Sequence, residues 1–451
     1  MTDKLAVNGG TPHIAAGTIL PSPPTTALDE QYVLASLRGP KHAWGENCSL
    51  LEKEWAAWNG NTYCSALTSG TSALHMALVA CGMRAGDEIL TPAYSWTSSA
   101  SCILHGNGIP VFVDIDPVWA NIDPAKIEAA ITPKTKGIVV VHLHGVPADL
   151  DPIFAIAKKH NLFVVEDACQ AHGAKYKGKK VGTMGHASAF SLNQNKMLSA
   201  GEGGLFVADD ESTFQRGRSL ALFGDFAIRG EEQDEDRAHG LGLMCRYNDL
   251  CAAYARAQLT QLDDGIAHAR AMFAILREEL ADLPGLILPV EPEWADENAY
   301  NFVCHVDPKP LGYDGPVNYL REAVVAALKA EGAPVGVWQR RILPEIAAIK
   351  SRNAYGNGSP WRESGSTVSY DPAQFPNALY HSASYFIFSG LRRPNPLSLA
   401  NDIAAAVRKV WDNFDQLDID KLAAGADVSI YERGWEPHEG EMETAPETVT
   451  A

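Results

Sequence analysis

The chain has 451 residues, of which 46% are hydrophobic and 20% are charged, and its formal net charge is -18 at pH 7. This length and composition predict a soluble globular protein of about two domains and exclude a mainly disordered chain. The acidic balance argues against nucleic acid and anionic membrane surfaces as partners, because both need a basic face on the protein.

The cysteines and the N-terminal stretch narrow the class of protein further. The eight cysteines are scattered without a Cys-x-x-Cys pair, which argues against a zinc ribbon and a disulfide framework. The N-terminal stretch lacks a charged segment followed by a long apolar one, and no segment reaches the ~20 consecutive apolar residues of a membrane span. We therefore expect a cytoplasmic protein with no membrane contact.

The first half of the chain predicts an α/β fold. Residues 1–25, rich in Gly, Pro and Thr, are expected to wrap over a surface, and apolar spacing predicts helices over 28–37 and 49–58. From residue 63, short apolar strands alternate with helices, which indicates a mostly parallel sheet covered on both faces. The expected strands are 65–67, 88–91, 109–113, 137–141, 163–166, 187–192 and 205–208, and the helices are 72–81, 98–105, 124–130 and 152–160.

The second half predicts a smaller α+β region. A charged run within residues 222–240 is typical of a solvated loop. After it, Asn248 or Asp249 is expected to cap a helix that runs to about Leu280 with an interruption near Gly265. The expected strands beyond it are 285–288, 301–306 and 334–337, and the helices are 317–331 and 396–414.

These patterns divide the chain into three predicted parts. Residues 1–265, including the N-terminal arm, are predicted to form a large domain, and residues 266–422 a smaller C-terminal domain. Residues 423–451 combine Gly, Pro and Thr with many Glu, which predicts an acidic, disordered tail.

Several polar groups follow the predicted strand ends, where ligands bind in sheets of this kind. The segment 68–72, Thr-Ser-Gly-Thr-Ser, opens a helix and can hold an anion such as a phosphate, although Ser/Thr-rich helix caps are common. Trp96 either provides a flat ring on which a ligand can stack or is a structural residue of the core. Asp167 ends a buried strand and needs a cation or hydrogen-bond donors. His172 is either a site residue or a structural one.

Lys196 completes this set, because it lies between a buried strand and the glycine-rich turn 201–204. Pyridoxal 5′-phosphate (PLP) needs donors for its phosphate, an aromatic face for its ring, a carboxylate for its pyridine nitrogen and a lysine for a Schiff base. The four kinds of group therefore predict a PLP site.

The sequence also resembles the aminotransferases named after the DegT, DnrJ and StrS proteins, from about residue 5 to about residue 415. The motifs that carry the resemblance are Thr68-Ser-Gly-Thr-Ser-Ala-Leu, Gly86-Asp-Glu-Ile-Leu-Thr-Pro, Glu166-Asp-Ala-Cys-Gln-Ala-His-Gly-Ala, Phe190-Ser-Leu-Asn-Gln-Asn-Lys and Gly201-Glu-Gly-Gly. It implies the fold type I architecture of aspartate aminotransferase, with a mostly parallel seven-stranded sheet in the large domain and a smaller C-terminal α+β domain. It further implies that Gly70, Thr71 and Ser191 bind the cofactor phosphate.

The resemblance also assigns roles around the cofactor ring. Trp96 would stack on it, Asp167 would pair with the pyridine nitrogen, and Gln170 would lie by the ring hydroxyl. Lys196 would form the Schiff base and, when a substrate amine displaces it, move the substrate proton as general base and acid.

The sequence departs from the common pattern of the family at two places, one expected to contact the substrate and one expected to reach the partner subunit. The residues 193–195, Asn-Gln-Asn, replace the aromatic or His and Thr that often precede the lysine in sugar-specific members. Gln194 is similar to members that act on cyclitol ketones or make aminohydroxybenzoate, and it is a candidate substrate contact together with His172. An Asn-x-Arg pattern of relatives is absent, so Arg246 and Asn248 are the candidates to reach the site of the partner in a homodimer.

The sequence therefore predicts a homodimeric aminotransferase that moves an amino group from glutamine or glutamate to a ketone of a sugar or cyclitol. An aromatizing synthase or a sugar dehydratase of the same fold is an alternative, although dehydratase relatives carry histidine in place of Lys196. A non-catalytic, PLP-binding regulatory protein is the third alternative. The identity of the acceptor depends on loops whose shapes no periodicity predicts.

Overall fold

The structure is a computed structural model that describes residues 4–224 and 241–424. Most of the predicted loop 222–240 and nearly all of the predicted acidic tail lie outside the described residues. None of the helices within the described ranges is both long and apolar enough to cross a membrane.

A seven-stranded sheet forms the centre of the first half of the chain, with strand order β1-β9-β8-β5-β4-β2-β3. Its strands are β1 (Tyr63–Leu67), β2 (Glu88–Pro92), β3 (Ile109–Val113), β4 (Thr135–Val141), β5 (Phe163–Asp167), β8 (Ala187–Ser191) and β9 (Gly204–Ala208). The pairs β2/β3, β2/β4, β4/β5 and β5/β8 are parallel. The reversed strand β9 pairs antiparallel with both β8 and β1. These strands lie within two residues of their predicted bounds.

Helices cover both faces of this sheet, as the apolar strands predict. They are α1 (Ala27–Arg38), α2 (Glu46–Asn59), α3 (Gly70–Ala80), α4 (Ser98–His105), α5 (Pro124–Ile127), α6 (Leu150–His160), α7 (Glu211–Ala221) and α8 (Asp249–Leu259). Successive residues of β4 alternate between two hydrophobic cores, because Val139 packs on one face of the sheet and Val140 on the other. Because β2, β3, β4, β5 and β8 are parallel, their carboxyl ends lie at the same edge of the sheet.

A second sheet organises the C-terminal part, with strand order β10-β12-β14-β13 and antiparallel pairing throughout. Its strands are β10 (Leu286–Ile287), β12 (Phe302–Val306), β13 (Val335–Gly336) and β14 (Tyr385–Phe388). The helices of this part are α9 (Leu262–Leu280), α10 (Val317–Ala330), α11 (Ala347–Lys350), α12 (Trp361–Ser364), α13 (Pro376–Ser384), α14 (Ser398–Asp412) and α15 (Ile419–Ala424). A small sheet joins β6 (Lys175–Tyr176), β7 (Lys179–Lys180) and β11 (Ala295–Asp296). The predicted fold class is confirmed.

The structure corrects one boundary. The predicted interruption of the helix is present but lies at Thr260 and Gln261, between α8 and α9, whereas Gly265 lies inside α9. The Thr260 hydroxyl donates to the carbonyl of Ala257 at 2.7 Å and so competes with the helical hydrogen bonds. The predicted domain boundary at residue 265 falls within α9, and the division into domains stays a prediction.

The N-terminal arm packs on the C-terminal part of the chain. Leu5 and Ile14 are buried in the core that contains α10 and α14. The buried Glu331 carboxylate accepts the N–H groups of Ala6 and His13 at 2.8 and 3.0 Å and pairs with Lys409 at 2.8 Å. These contacts fix the arm across the helices.

Candidate active site

Asp167 is the last residue of β5, and its side chain is buried at the carboxyl edge of the large sheet. One carboxylate oxygen accepts the Ser99 hydroxyl at 2.8 Å, and the other accepts the Cys169 N–H at 3.2 Å. Among the described residues it has no ion pair. A buried carboxylate with two neutral donors is costly, so the site favours a cation or a charged donor beside it.

The N-terminus of α3 lies beside the ends of β8 and β9. Ser69 caps the helix by accepting the Ser72 N–H at 3.0 Å. A Cβ on Gly70 would lie 2.8 Å from Cys169 Sγ and 2.9 Å from Ser191 Cβ, so this position is too tight for a side chain. Thr71 shares a 2.6 Å hydroxyl hydrogen bond with Ser98 at the start of α4.

This arrangement brings the three predicted phosphate residues together. Ser191 ends β8, and its hydroxyl accepts the Asn193 N–H at 3.3 Å. Gly70 and Thr71 begin α3, whose first N–H groups have no partners within the helix. Amides, hydroxyls and the positive end of the helix dipole together make a donor set that suits a phosphate.

Lys196 lies in the turn between β8 and β9. Its N–H donates to the carbonyl of Asn193 at 2.9 Å, and the Gln194 N–H donates to the carbonyl of Gly201 at 2.8 Å. The side chain of Gln194 is exposed, whereas Lys196 is half-buried. The amine of Lys196 lies 3.4 Å from the hydroxyl of Tyr300, so the lysine points to the segment that leads into β12.

Gln170 is buried and held from two sides. Its side-chain oxygen accepts the His144 N–H at 2.8 Å, and its carbonyl accepts the Asn298 side-chain amide at 3.0 Å. The Asn301 side-chain amide lies 3.0 Å from His144 Nδ1 and donates to it, so the ring proton of His144 is on Nε2. Burial, then the nearby His305 and Lys196, lower the pKa of His144 to about 3, so its ring is neutral.

Trp96 follows β2 and is half-buried at the same edge of the sheet. Its ring stacks on that of Trp338, with centroids 5.7 Å apart and planes inclined by 29°. The edge of the neighbouring His144 ring contacts Trp338 at a centroid distance of 5.3 Å. An aromatic surface therefore faces the site beside Gln170.

His172 lies deeper than the other candidates. Its ring packs against Trp55 and Phe190 with centroids 5.8 and 5.6 Å apart. Burial, and secondarily the charge of Lys196, lower its pKa to about 3. These contacts describe a neutral ring behind the turn that carries Lys196.

Arg246 and Asn248 lie just before α8. Arg246 bridges to Leu67 at the end of β1, and its guanidinium lies 5.4 Å from the ring of Phe223. Asn248 caps α8 by accepting the Cys251 N–H at 2.8 Å, so the first of the two predicted cap residues is confirmed. The Asp249 carboxylate instead accepts from Ser36 and from Asn47 at the start of α2.

The chain matches the model of the DegT/DnrJ/EryC1/StrS aminotransferase family over residues 25–340. It belongs to this family. It is 35% identical to an L-glutamine:2-deoxy-scyllo-inosose aminotransferase of Micromonospora echinospora, over 92% of this chain and 99% of that protein. It is 32% identical to an L-glutamine:scyllo-inosose aminotransferase of Streptomyces griseus, over 92% of this chain and all of that protein.

The solved structure of a 3-amino-5-hydroxybenzoic acid synthase has the same fold, with a TM-score of 0.75 and 26% identity over 87% of this chain and 99% of that one. The chain is a PLP-dependent aminotransferase. The donor set of this aminotransferase fits the cofactor: the cradle at Gly70 admits no side chain, and the buried Asp167 lacks a cation among the described residues. A protonated pyridine nitrogen would supply that cation.

Sequence reasoning did not identify the segment 298–301 as part of this site. Asn298 binds the carbonyls of Gln170 and His172, Tyr300 contacts the Lys196 amine, and Asn301 holds His144. The only local signal is two amides and a tyrosine directly before a strand. Their target residues lie more than a hundred positions away in the sequence, which no local periodicity reports.

Proposed function

We propose that this aminotransferase takes the amino group of L-glutamine and transfers it to the ketone of a cyclitol of the inosose type. The relatives at 32% and 35% identity, aligned over 92% of this chain, carry names with this donor and this class of acceptor. The segment 193–195, which departs from the sugar-specific pattern, supports the same substrate class.

The observation that carries the proposal is the buried Asp167 carboxylate at the strand end, beside the α3 N-terminus. In our proposal Gly70, Thr71 and Ser191 bind the PLP phosphate, and Asp167 pairs with the ring nitrogen. When bound, PLP supplies an electron sink that makes the Cα proton of an amino acid removable. The Ser99 hydroxyl and the Cys169 N–H fix the orientation of the Asp167 carboxylate, which would face the ring nitrogen.

Further residues orient the ring and move the proton. Trp96 would supply an aromatic face for the ring, and Gln170, held by His144 and Asn298, would supply a polar group to the ring hydroxyl. Lys196 would hold the cofactor through its amine and, once free, would move the substrate proton as general base and acid. The Tyr300 hydroxyl, 3.4 Å from the Lys196 amine, would hold the free amine in place for this proton transfer.

To identify the acceptor, the enzyme is first treated with the amino donor and is then mixed with candidate ketones. Purified protein is expected to be yellow, to lose the colour with L-glutamine and to regain it with scyllo-inosose or 2-deoxy-scyllo-inosose. A nucleotide-linked ketosugar is the control acceptor. Return of the colour with the ketosugar and with neither inosose would contradict the cyclitol proposal, while loss of colour with glutamate alone would contradict the donor.

We also propose a homodimer with shared sites. A cleft of about 480 Å³, which Leu243 lines, opens beside the α3 N-terminus, and Leu243 and the apolar side chains that adjoin it along the chain or through a backbone hydrogen bond are exposed. These are Phe223, Leu241, Leu243 and Met244, with exposed fractions of 54%, 94%, 44% and 58%. Such a patch beside a phosphate site suits a second copy of the chain, which would bring Arg246 and Asn248 near the partner's cofactor.

The shared site is tested by mixing two inactive variants, Lys196→Ala and Arg246→Ala, after unfolding and refolding them together. If Arg246 serves the partner's site, hybrid dimers hold one complete site and the mixture recovers about a quarter of the wild-type activity. No recovery from a mixture that is dimeric by light scattering would contradict the shared site. The cytoplasmic location and the substrate roles of Gln194 and His172 stay predictions.

A second candidate reaction is the aromatizing synthesis of an aminohydroxybenzoate. The similarity to the 3-amino-5-hydroxybenzoic acid synthase structure favours it. Incubation with cyclic enone acids in the absence of any amino donor distinguishes the two reactions. Aromatic absorption would support the synthase, and an unchanged spectrum together with glutamine-dependent amination of an inosose would support the aminotransferase.

A further inference from the structure

Lys196 receives contacts from the C-terminal part of the chain as well as from its own turn. Within the turn, its N–H is bound by Asn193, as described above. The carbonyl groups of Asn195 and Lys196 both accept from a single guanidinium nitrogen, Nη1 of Arg392, at 3.0 and 3.2 Å. Arg392 follows β14 in the second sheet, so this contact spans the two sheets.

The same arginine reaches the lysine side chain through Tyr300. The guanidinium carbon of Arg392 lies 5.8 Å from the centroid of the Tyr300 ring, and the Lys196 amine lies 5.1 Å from that centroid. The tyrosine ring therefore contacts two cationic groups, and its hydroxyl is 3.4 Å from the amine. Both ends of the lysine are set by one pair of residues from the C-terminal part.

The loop that carries Arg392 is itself held firmly. Asn395 is fully buried, and its side-chain amide donates to the carbonyls of Leu20 and Gly390 at 3.2 and 3.0 Å. Its side-chain oxygen accepts the Leu20 N–H at 2.8 Å. Because these hydrogen bonds fix the loop, the Arg392 guanidinium has a fixed position and holds the peptide groups that it binds in a fixed position as well.

A catalytic lysine needs a fixed main chain because its long side chain already has several rotatable bonds. A displacement of about 1 Å at a reacting group can lower a rate by a factor on the order of 100. Charge-assisted hydrogen bonds to peptide carbonyls are stronger than neutral ones, so Arg392 resists movement of the Lys196 main chain.

We infer that Arg392 is a positioning residue for Lys196, acting through the carbonyls of Asn195 and Lys196 and through the ring of Tyr300. The inference rests on the proposed role of Lys196. Arg392 contributes no proton to the reaction; it sets where the amine lies when the amine meets the cofactor or the substrate.

The test compares Arg392→Met and Arg392→Lys with Arg393→Met as the matched control. Arg393 is the adjacent residue, and its guanidinium faces Asp264 at 3.6 Å on the surface. The first readout uses apoenzyme: the rate at which added PLP becomes attached to Lys196, followed by stopped-flow absorbance. The second readout is steady-state kinetics with L-glutamine, which give kcat and KM as separate values.

We expect Arg392→Met to slow PLP attachment and kcat by tenfold to a hundredfold, the range that corresponds to losing a charged hydrogen bond, with KM changed less than threefold. Arg392→Lys keeps a cation and is expected to give intermediate values, while Arg393→Met matches the wild type. The thermal midpoint of each variant checks folding, and if Arg392→Met does not fold, Arg392→Lys decides the matter.

A rise in KM with kcat and attachment rate unchanged would overturn the inference, because it would make Arg392 a donor-binding residue. Equal values for Arg392→Met and Arg393→Met would also overturn it. Failure of the proposed function is distinguishable, because in that case wild-type Lys196 itself would not acquire PLP.

Discussion

Two adjacent carboxylates end β5, and they differ in how fully the protein itself satisfies them. Glu166 faces one side of the sheet, where it accepts from His142, from the N–H groups of Gly182, Met184 and Gly185, and at 3.5 Å from Ser188. Asp167 faces the other side.

Asp167 receives only the Ser99 hydroxyl and the Cys169 N–H among the described hydrogen bonds. The chain thus saturates the first carboxylate and leaves the second with capacity to bind a further donor. This difference teaches that burial of a carboxylate does not by itself mark a site: in this pair, the carboxylate at the candidate site is the one that the protein leaves incompletely satisfied.

The largest expected effect is on stability and comes from Glu166→Gln. In either orientation the amide NH2 faces a backbone N–H, that of Gly182 on one side or those of Met184 and Gly185 on the other, and the charge is lost. We therefore expect a loss of about 3 kcal/mol in the free energy of unfolding, measured by urea denaturation. The exposed Asp151→Ala is the control, with no measurable change expected. A Glu166→Gln variant as stable as the wild type would show that the donors around Glu166 do not require a charged acceptor.

The stability contribution of Glu166 also depends on pH. Burial is the largest single influence and raises its pKa, but the His142 contact and the N–H groups of Gly182 and Gly185 together outweigh it, so the pKa lies below its ordinary value of 4.5. A carboxyl with a lowered folded pKa stabilises above its unfolded pKa, and this stabilisation is lost as the pH falls through the folded value. The stability gap between wild type and Glu166→Gln is therefore expected to narrow below about pH 4.5, and a constant gap would argue against it.

Asp167→Asn is expected to act on the reaction instead of on the fold. Loss of an ionic hydrogen bond of about 3 kcal/mol to the ring nitrogen corresponds to a decrease in kcat of about 100-fold or more. The thermal midpoint is expected to stay near that of the wild type, since the Asn oxygen can still accept the Cys169 N–H while the rotatable Ser99 hydroxyl accepts from the Asn amide. A large loss of stability with near-normal kcat would reverse the roles of the two residues.

Gly70→Ala tests whether the proposed phosphate site at the α3 N-terminus has no room for a side chain at position 70. Its Cβ would press on Cys169 Sγ and Ser191 Cβ, so we expect PLP affinity to fall by about tenfold, from strain of about 1 to 3 kcal/mol. Gly265→Ala is the matched control, because nothing lies within 4 Å of its Cβ and alanine favours a helix interior. Equal PLP affinities of the two variants, measured by fluorescence titration, would contradict the cradle.

Ser99→Ala is expected to have the smallest effect. It removes one neutral donor from Asp167 Oδ2, a contribution of about 1 kcal/mol, so kcat should fall by about fivefold with the thermal midpoint little changed. Steady-state kinetics with glutamine at saturation measure this, with Ser101→Ala on the same helix as the control. A fall beyond the Asp167→Asn value would show that Ser99 has a role of its own.

Much of the site could be predicted from sequence because its parts lie at strand ends. Asp167 and Lys196 each follow a recognisable buried strand, and the resemblance ties them to one cofactor. The structure adds how Asp167 differs from Glu166, which the sequence alone cannot distinguish, since alternation in a strand does not tell which face meets the loop 182–185 that supplies the donors to Glu166.

The parts that could not be predicted depend on contacts between distant segments. Tyr300 and Arg392 reach Lys196 from the second sheet, and no local pattern links those positions. Strand β14 was also missed, because helix α13 passes directly into its four apolar residues without a Gly or Pro to mark the change.

The most direct test of the central claim is borohydride reduction of the holoenzyme followed by peptide mass mapping. We expect the phosphopyridoxyl group on Lys196 and none on Lys196→Ala, while Lys180, a partly exposed lysine on β7, stays unlabelled. Label on another lysine, or colour and label that persist in Lys196→Ala, would contradict it.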